Sequence, residues 1–308
     1  MIRGGGRTLF RMGLLALFWG SSFLWIKIGL ASFSPVQMTF VRLVLGAAVL
    51  VVLCYAGRQR LPRNRVLWGH LLVAALVGNA IPFTLFAVGE KTVDSGVAGV
   101  LNATTPLWVL LIGITLRSEK DLHPIKVTGL VLGFLGTLLI FAPWEAELAS
   151  WGALIILVAA ICYAISFAYI GRFVAGRGVA PIALSATQIL AATGLTALAL
   201  PIGGLDAIHL RWDAALAVVV LGIFGTGFAF ALNYRLITDE GPTNASAVGY
   251  LLPVVSVLLG ALFLHEELTP HVVAGMVVVL GGVAMTRVSK RPTPVIVVAD
   301  PVPAVSQP

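Results

Sequence analysis

One letter interrupts the apolar stretch FSPVQMTFVRLVLGAAVL, residues 33–50: the arginine at position 42. A guanidinium is a permanent cation with five N–H donors, and ionisable groups in apolar runs face a protein interior or a water-filled cavity where they meet a partner. Pro35 marks the start of the run, so Arg42 lies seven residues in, roughly 10 Å along a helix that rises about 1.5 Å per residue. The chemistry that fits is recognition of an anion, such as the carboxylate of a small solute. The structural alternative is an arginine bonded to helix-end carbonyls or extended along its stem toward water.

Polar and aromatic residues recur at helical spacing elsewhere. Trp19, Ser22 and Phe23 share one helix face by the i, i+3, i+4 rule, and Tyr163, Ser166 and Phe167 repeat the pattern. Asn79 with Phe83 and Phe86, Asn102 with Thr105 and Trp108, Asn233 with Tyr234, and Tyr250 with Ser256 extend the set. Each residue alone fits helix packing, since Ser and Thr let helices approach and Asn bonds across them. Together they describe a mostly apolar pocket with sparse polar handles, the usual make-up of a small-molecule site. The expected substrate-binding residues are therefore Trp19, Ser22, Arg42, Asn79, Phe83, Phe86, Asn102, Thr105, Trp108, Tyr163, Ser166, Gln188, Asn233 and Tyr250.

Other reactive side chains point to structure. Glu266, Glu267 and Glu119 fall at the ends of apolar runs, the first two beside Thr269 and Pro270, a good cap and first residue for a helix. The five histidines lie at run edges with no HExxH or Cys-x-x-Cys spacing, so neither a metal nor a cofactor is expected. Cys54 and Cys162 sit where a small hydrophobe would do.

The elements that carry these residues follow from composition. Of 308 residues 59% are hydrophobic and 11% charged, with a mean hydropathy of +1.01, against about 25% charged in a soluble domain. A lipid-embedded, all-α protein follows. Segments of about 20 apolar residues fall at 10–31, 35–56, 68–88, 95–116, 124–142, 150–171, 180–202, 213–235, 243–264 and 270–287, ten spans in all. The N-terminal run is too long for a signal peptide and is read as an uncleaved first span. Lys and Arg test the count, because cytoplasmic connections collect them. Sixteen of the twenty fall on the side of the N-terminus, Lys27, Lys91 and Arg211 on the other, and Arg42 within a span. Both termini are expected in the cytoplasm, and the net charge of +7 reads as a topology signal with no nucleic-acid partner implied.

The chain also resembles itself. Pro106 and Glu119 match Pro253 and Glu266 at a spacing of 147 residues, Pro35 aligns with Pro181, Arg42 with Gln188, and Trp19 and Ser22 with Tyr163 and Ser166. Two repeats of five spans, an odd number, lie in opposite orientations, the inverted-repeat plan of many secondary transporters. The first repeat is expected at 1–145, the second at 146–288, and a Pro-rich cytoplasmic tail at 289–308. Pro106 and Pro253, inside apolar runs, are expected to bend their helices, and Gly222, Gly225 and Gly227 to allow close helix contact.

LLALFWGSSFLWIKIGL, SPVQMTFVRLVLGAAVL and YLLPVVSVLLGALFLHEELTPHVVAGMVVVLGGVAM together resemble the EamA-like members of the drug/metabolite transporter superfamily, from about Met12 to Arg287. The resemblance implies ten helices in two inverted five-helix repeats, the first four of each half around a central cavity and the fifth outside. It also implies a multi-pass protein of the bacterial inner membrane that exports small amphipathic metabolites such as amino acids or drugs. Smaller four-helix relatives carry a proton-binding acid in the first span; Phe10 to Ala31 has none. No Walker A sequence is present, so alternating access driven by proton exchange or by the solute's own gradient is expected rather than ATP hydrolysis. A sugar-phosphate or nucleotide-type exchanger of the same superfamily would need more cavity cations than Arg42 with marginal Lys27 and Arg235. A membrane-embedded enzyme would need a cluster of acid, base or metal ligands that the sequence lacks.

Overall fold

Helix dominates wherever the computed structural model describes the chain, namely residues 3–93, 95–116, 123–141, 150–209, 211–255, 258 and 269–288; no strand occurs among them. Glu119, Ser256, Glu266, Glu267 and the C-terminal tail lie outside the described residues. The first span is a bent helix in two pieces, α1 (Arg3–Gly20) and α2 (Ser22–Gly29). Ser21 and Ser22 both donate back to the Phe18 carbonyl, at 3.3 and 2.8 Å, and hydroxyls that bond back in this way bend helices.

The second span, α3 (Pro35–Ala56), starts at a capping box closed between Ser34 and Gln37, a device worth on the order of 1 kcal/mol. The Ser34 hydroxyl also donates to the Gly203 carbonyl, and the Gln37 amide to those of Gly204 and Asp206. These bonds fix the start of the second span against the end of the seventh, and α3 packs along that helix, α10 (Pro181–Gly203).

The third span runs as α4 (Arg65–Ala75), a π-helical turn at Leu76–Ala80, and α5 (Ile81–Gly89). It begins three residues before the expected start because Asn64 caps it, its side chain accepting from the Val66 and Leu67 N–H groups. The fourth span is α6 (Ser95–Asn102) and α7 (Thr105–Thr115), broken at Ala103 and Thr104 just before Pro106. The fifth is α8 (Pro124–Phe141) and the sixth α9 (Trp151–Phe173).

Beyond α10, the eighth span is α11 (Trp212–Gly222), a second π-helical turn at Ile223–Phe228, and α12 (Ala229–Glu240). It continues past the expected limit at 235 until Gly241, whose φ of 82° is a left-handed value that glycine adopts without steric cost. The ninth span is described as α13 (Pro242–Ser246), a 3₁₀ turn at Ala247–Tyr250 and helical backbone over residues 251–255. The last helix is α14 (Pro270–Val288). Among the described residues, seven helices are long and apolar enough to cross a membrane, and Pro124–Ile140 and Pro270–Thr286 are shorter apolar helices. The ten expected segments thus follow in order, and both Pro106 and Pro253 adjoin breaks in regular α-helix.

The interruptions match at the spacing seen in the sequence. The two π turns begin at Leu76 and Ile223, 147 residues apart. Just past the first, Pro82 of α5 cannot donate to a carbonyl four residues back and its ring crowds that position, which favours a wider turn. The second holds no proline; there Gly222 and Gly227 bring α3 so near that an added Cβ would lie 2.6 Å from Leu45 Cβ and 2.7 Å from Val49 Cβ. Such small-residue contacts are the usual means of helix association in lipid.

The fifth and tenth spans pack chiefly on each other. A Cβ on Gly129 would meet the Gly282 carbonyl at 2.6 Å, and one on Gly136 the Gly275 carbonyl at 2.8 Å, so the two backbones touch at both levels. Neither helix contributes to the central cavity.

Candidate functional site

Between the remaining spans lies a cavity of about 860 Å³, counting the part open to solvent. Its lining is drawn from the first, second, third, fourth, sixth, seventh, eighth and ninth spans, as the arrangement of four helices per half requires. A belt of six aromatic rings in successive contact lines it. Trp19 meets Phe230 at 6.0 Å between centroids, Phe230 meets Phe83 at 6.1 Å, Phe83 meets Tyr163 at 6.3 Å, Tyr163 stacks on Phe86 at 5.7 Å, and Phe86 meets Phe23 at 6.2 Å. Trp19 and Phe23, the two ends of this chain of rings, lie four residues apart on the first span. Pairs with this geometry contribute about 0.5–1.5 kcal/mol each beyond their area, so the belt is a stiff wall.

Arg42 reaches this belt from α3. Its guanidinium carbon stands 3.8 Å from the Phe83 ring centroid, a desolvated cation–π contact of about 2 kcal/mol. Its Nε donates to Thr226 Oγ1 at 2.8 Å. The residue is 6% exposed and lines the cavity, and among the described residues this is its sole hydrogen bond. The Nη groups therefore have donor capacity left for a ligand. Thr226 in turn donates to the Leu221 carbonyl at 3.3 Å, beside the second π turn.

Gln188, the expected counterpart of Arg42, makes the matching contact in the other half. Its Nε2 donates to Asn79 Oδ1 at 2.6 Å and to the Ala74 carbonyl at 3.3 Å, while Tyr234 donates its hydroxyl to Gln188 Oε1. Ser166 Oγ also reaches the Ala74 carbonyl, at 3.5 Å. Asn79 and Thr226 each belong to a π turn, and Ala74 and Leu221 each precede one, at the same spacing of 147 residues. A π turn leaves carbonyls without their usual helical donor, and polar side chains from neighbouring spans supply one. Trp19 does likewise, its Nε1 donating to the Gly225 carbonyl at 3.2 Å.

Of the expected site residues, Trp19, Ser22, Arg42, Phe83 and Phe86 line the cavity from the first half, with Asn102 and Thr105 of the fourth span. Tyr163, Ser166, Gln188 and Asn233 line it from the second half. Asn79 stands behind the wall, fully buried against Gln188. Trp108 turns to Thr104, its Nε1 donating to Oγ1 at 3.2 Å, and packs on the main apolar core. Tyr250 is fully buried with its ring against Gly133 of α8. Lys27 and Arg235 are exposed and line no part of the cavity.

Sequence reasoning passed over Phe230, which links Trp19 to Phe83 in the belt, Thr226, which holds Arg42, and Glu90. The last is 3% exposed at the C-cap of α5, and neither carboxylate oxygen has a hydrogen-bond donor among the described residues. A signal was present: Glu90 continues the face of Phe83 and Phe86 at i, i+3 and i+7.

A multi-span bundle of apolar helices around a partly polar cavity is the architecture of an integral membrane protein. The chain belongs to the EamA-like transporter family, whose model matches residues 8–142 and 150–288. It is 30% identical over 301 residues to the uncharacterized inner membrane transporter YedA of Escherichia coli (strain K12), covering 94% of this chain and 93% of that one. It is 29% identical over 270 residues to the uncharacterized transporter YdfC of Bacillus subtilis (strain 168), covering 87% of each. A crystal structure with 22% sequence identity superposes with a TM-score of 0.74, covering 92% of this chain and 97% of that one, which supports the fold.

Proposed function

We propose that this protein is a secondary transporter of the bacterial inner membrane that exports small amphipathic metabolites, such as amino acids or drugs, by alternating access of the central cavity. The observation that carries the reading is Arg42: a buried cation held by Phe83 and Thr226 with its Nη donors uncommitted, set into an aromatic wall. A solute with a carboxylate and an apolar or aromatic body satisfies both features, the first by charge-assisted hydrogen bonds and the second by burial.

Residues 1–145 and 146–288 act in this reading as two inverted repeats. The paired contacts Arg42–Thr226 and Gln188–Asn79 support it, since each joins the second span of one half to the third span of the other. Rocking of one half against the other around such bridges exposes the cavity to each side in turn. The charge bias supports a cytoplasmic position for both termini, and in this reading the ion pair between Arg11 and Asp239, 2.7 Å, lies on that side.

Counterflow in liposomes tests the proposal. Purified protein preloaded with unlabelled phenylalanine is expected to take up labelled phenylalanine, and Arg42→Ala protein is not. A panel of other amino acids extends the screen. Exchange of sugar phosphates with no amino-acid flux would replace the reading by that of a phosphate-ester exchanger, and absence of any solute flux would overturn transport of this class.

A further inference from the structure

Glu90 is a buried acid that the cavity residues do not explain. It stands one residue past the end of the third span, one helical turn beyond Phe86, on the face that Phe83 and Phe86 turn to the cavity. An ionised carboxylate stripped of water and of donors is costly, and both Glu90 oxygens are in that condition among the described residues. The charged and titratable groups that act on it come from three elements: Lys27 of α2, Arg42 of α3 and Tyr163 of α9. The π turn of its own span, Leu76–Ala80, holds no titratable side chain.

We propose that Glu90 is a proton-binding site that governs the anion affinity of Arg42. With the carboxylate ionised, Glu90 and a solute anion compete for the field of the same guanidinium. With a proton from the adjoining aqueous phase bound to one carboxylate oxygen, Glu90 is neutral and the guanidinium serves the solute alone. The step is a simple protonation, and its charge balance needs no other reactant. The inference rests on the reading of Arg42 as the anion-binding residue of the cavity.

The position of Glu90 suits this role at working pH. Burial pushes its carboxyl up to about 8, against the opposing pull of Lys27 and Arg42, so the group changes charge where cells live. Linkage is reciprocal: a proton that tightens anion binding is itself held more tightly once the anion is present.

Infrared difference spectra of the protein in lipid nanodiscs, recorded as pH is stepped, read Glu90 directly. The wild type is expected to show a protonated-carboxyl stretch that disappears with a midpoint well above the ordinary carboxylate range. Glu90→Gln is expected to lack it, and Arg42→Gln to move the midpoint upward, because a cation that favours the ionised form has been removed. A spectrum unchanged by Glu90→Gln, or a midpoint that Arg42→Gln leaves in place, overturns the inference. If the glutamine variant does not fold, Glu90→Asp serves instead: it is expected to displace the midpoint, and an unshifted midpoint counts equally against the proposal.

Binding of benzoate, followed by thermal shift, supplies the second arm. The wild type is expected to bind it at least about fivefold more tightly at pH 6 than at pH 9, within the usual range of coupling between sites, and Glu90→Gln equally at both. Benzoate affinity that does not depend on pH in the wild type overturns the coupling. A titrating Glu90 band in a protein that benzoate never stabilises would instead refute Arg42 as an anion site, and with it the coupling, leaving only the protonation.

Discussion

Arg42 and Thr226, from opposite halves of the chain, are joined by a 2.8 Å hydrogen bond, and Gln188 and Asn79 repeat that bridge at 2.6 Å. Each bond runs from a second span to a π turn in a third span of the other half. The bridges sit where the halves meet around the cavity, and their chemistry differs, cation to hydroxyl in one and amide to amide in the other.

Replacement of Arg42 by alanine is expected to abolish flux of an anionic or zwitterionic solute while leaving folded protein in the membrane. A hydrogen bond to a charged group contributes about 1.5–3 kcal/mol, so affinity should fall roughly 10- to 150-fold. Liposome counterflow beside an expression and gel-filtration check measures both. Wild-type flux would remove Arg42 from the site, and loss of expression would make it a structural residue.

Removal of Gln188 should be felt in stability first. Gln188→Leu leaves Asn79 Oδ1 and the Tyr234 hydroxyl, both buried, without their partner, at about 1–3 kcal/mol for each orphaned group. Tyr234→Phe orphans only one oxygen and should cost less. Thermal unfolding of the two variants in one detergent checks the order.

Gly46→Ala tests the approach of α3 to the second π turn. The new Cβ would fall 2.8 Å from Thr226 Cβ, so Thr226 or the helix must shift, at a cost of about 1–3 kcal/mol. The bridge to Arg42 moves with it. Both a lower thermal midpoint and weaker solute binding are expected, whereas Gly194→Ala, at a position with open space, should change neither.

Glu90 also gives the protein a signature in pH. Burial, working against Lys27 and Arg42, holds its folded-state carboxyl at about 8, against 4.5 for an ordinary glutamate. Between those values the folded form keeps a proton that the unfolded form has lost. Its contribution to stability is therefore full below about pH 4.5 and is lost as pH rises through about 8. Thermal midpoints of the wild type should fall relative to those of Glu90→Gln across this window, and parallel curves would exclude the shift.

Much of this arrangement was legible in the sequence because membranes make hydropathy decisive. The spans, the doubled pattern and the arginine set well inside the second span needed only apolar length and charge placement. Eleven of the fourteen residues singled out by spacing, charge or internal alignment lie along the cavity. Asn79, Trp108 and Tyr250 do not, because a helix face says which residues align and not which neighbour covers them. Trp108 found Thr104 on its own span, and Tyr250 found the flat surface at Gly133. The π turns had no reading at all: the residues of Leu76–Ala80 and Ile223–Phe228 satisfy ordinary helical periodicity, and only the arrival of Gln188, Ser166 and Trp19 from other spans gives the loosened carbonyls partners. Glu90 was hidden by its place at a span edge, where an acid is normally solvated.

The unlike bridges bear on how a cargo molecule lies. Two equal halves would offer two interchangeable handles, and a passenger could dock head-first or tail-first with the same ease. In the proposed transport reading, arginine at position 42 and glutamine at position 188 give a passenger bearing one negative group a single favoured pose. In that reading, exchanging these two side chains between positions would turn the pose end for end, and the polarity of docking rests on two codons rather than on the bundle's shape.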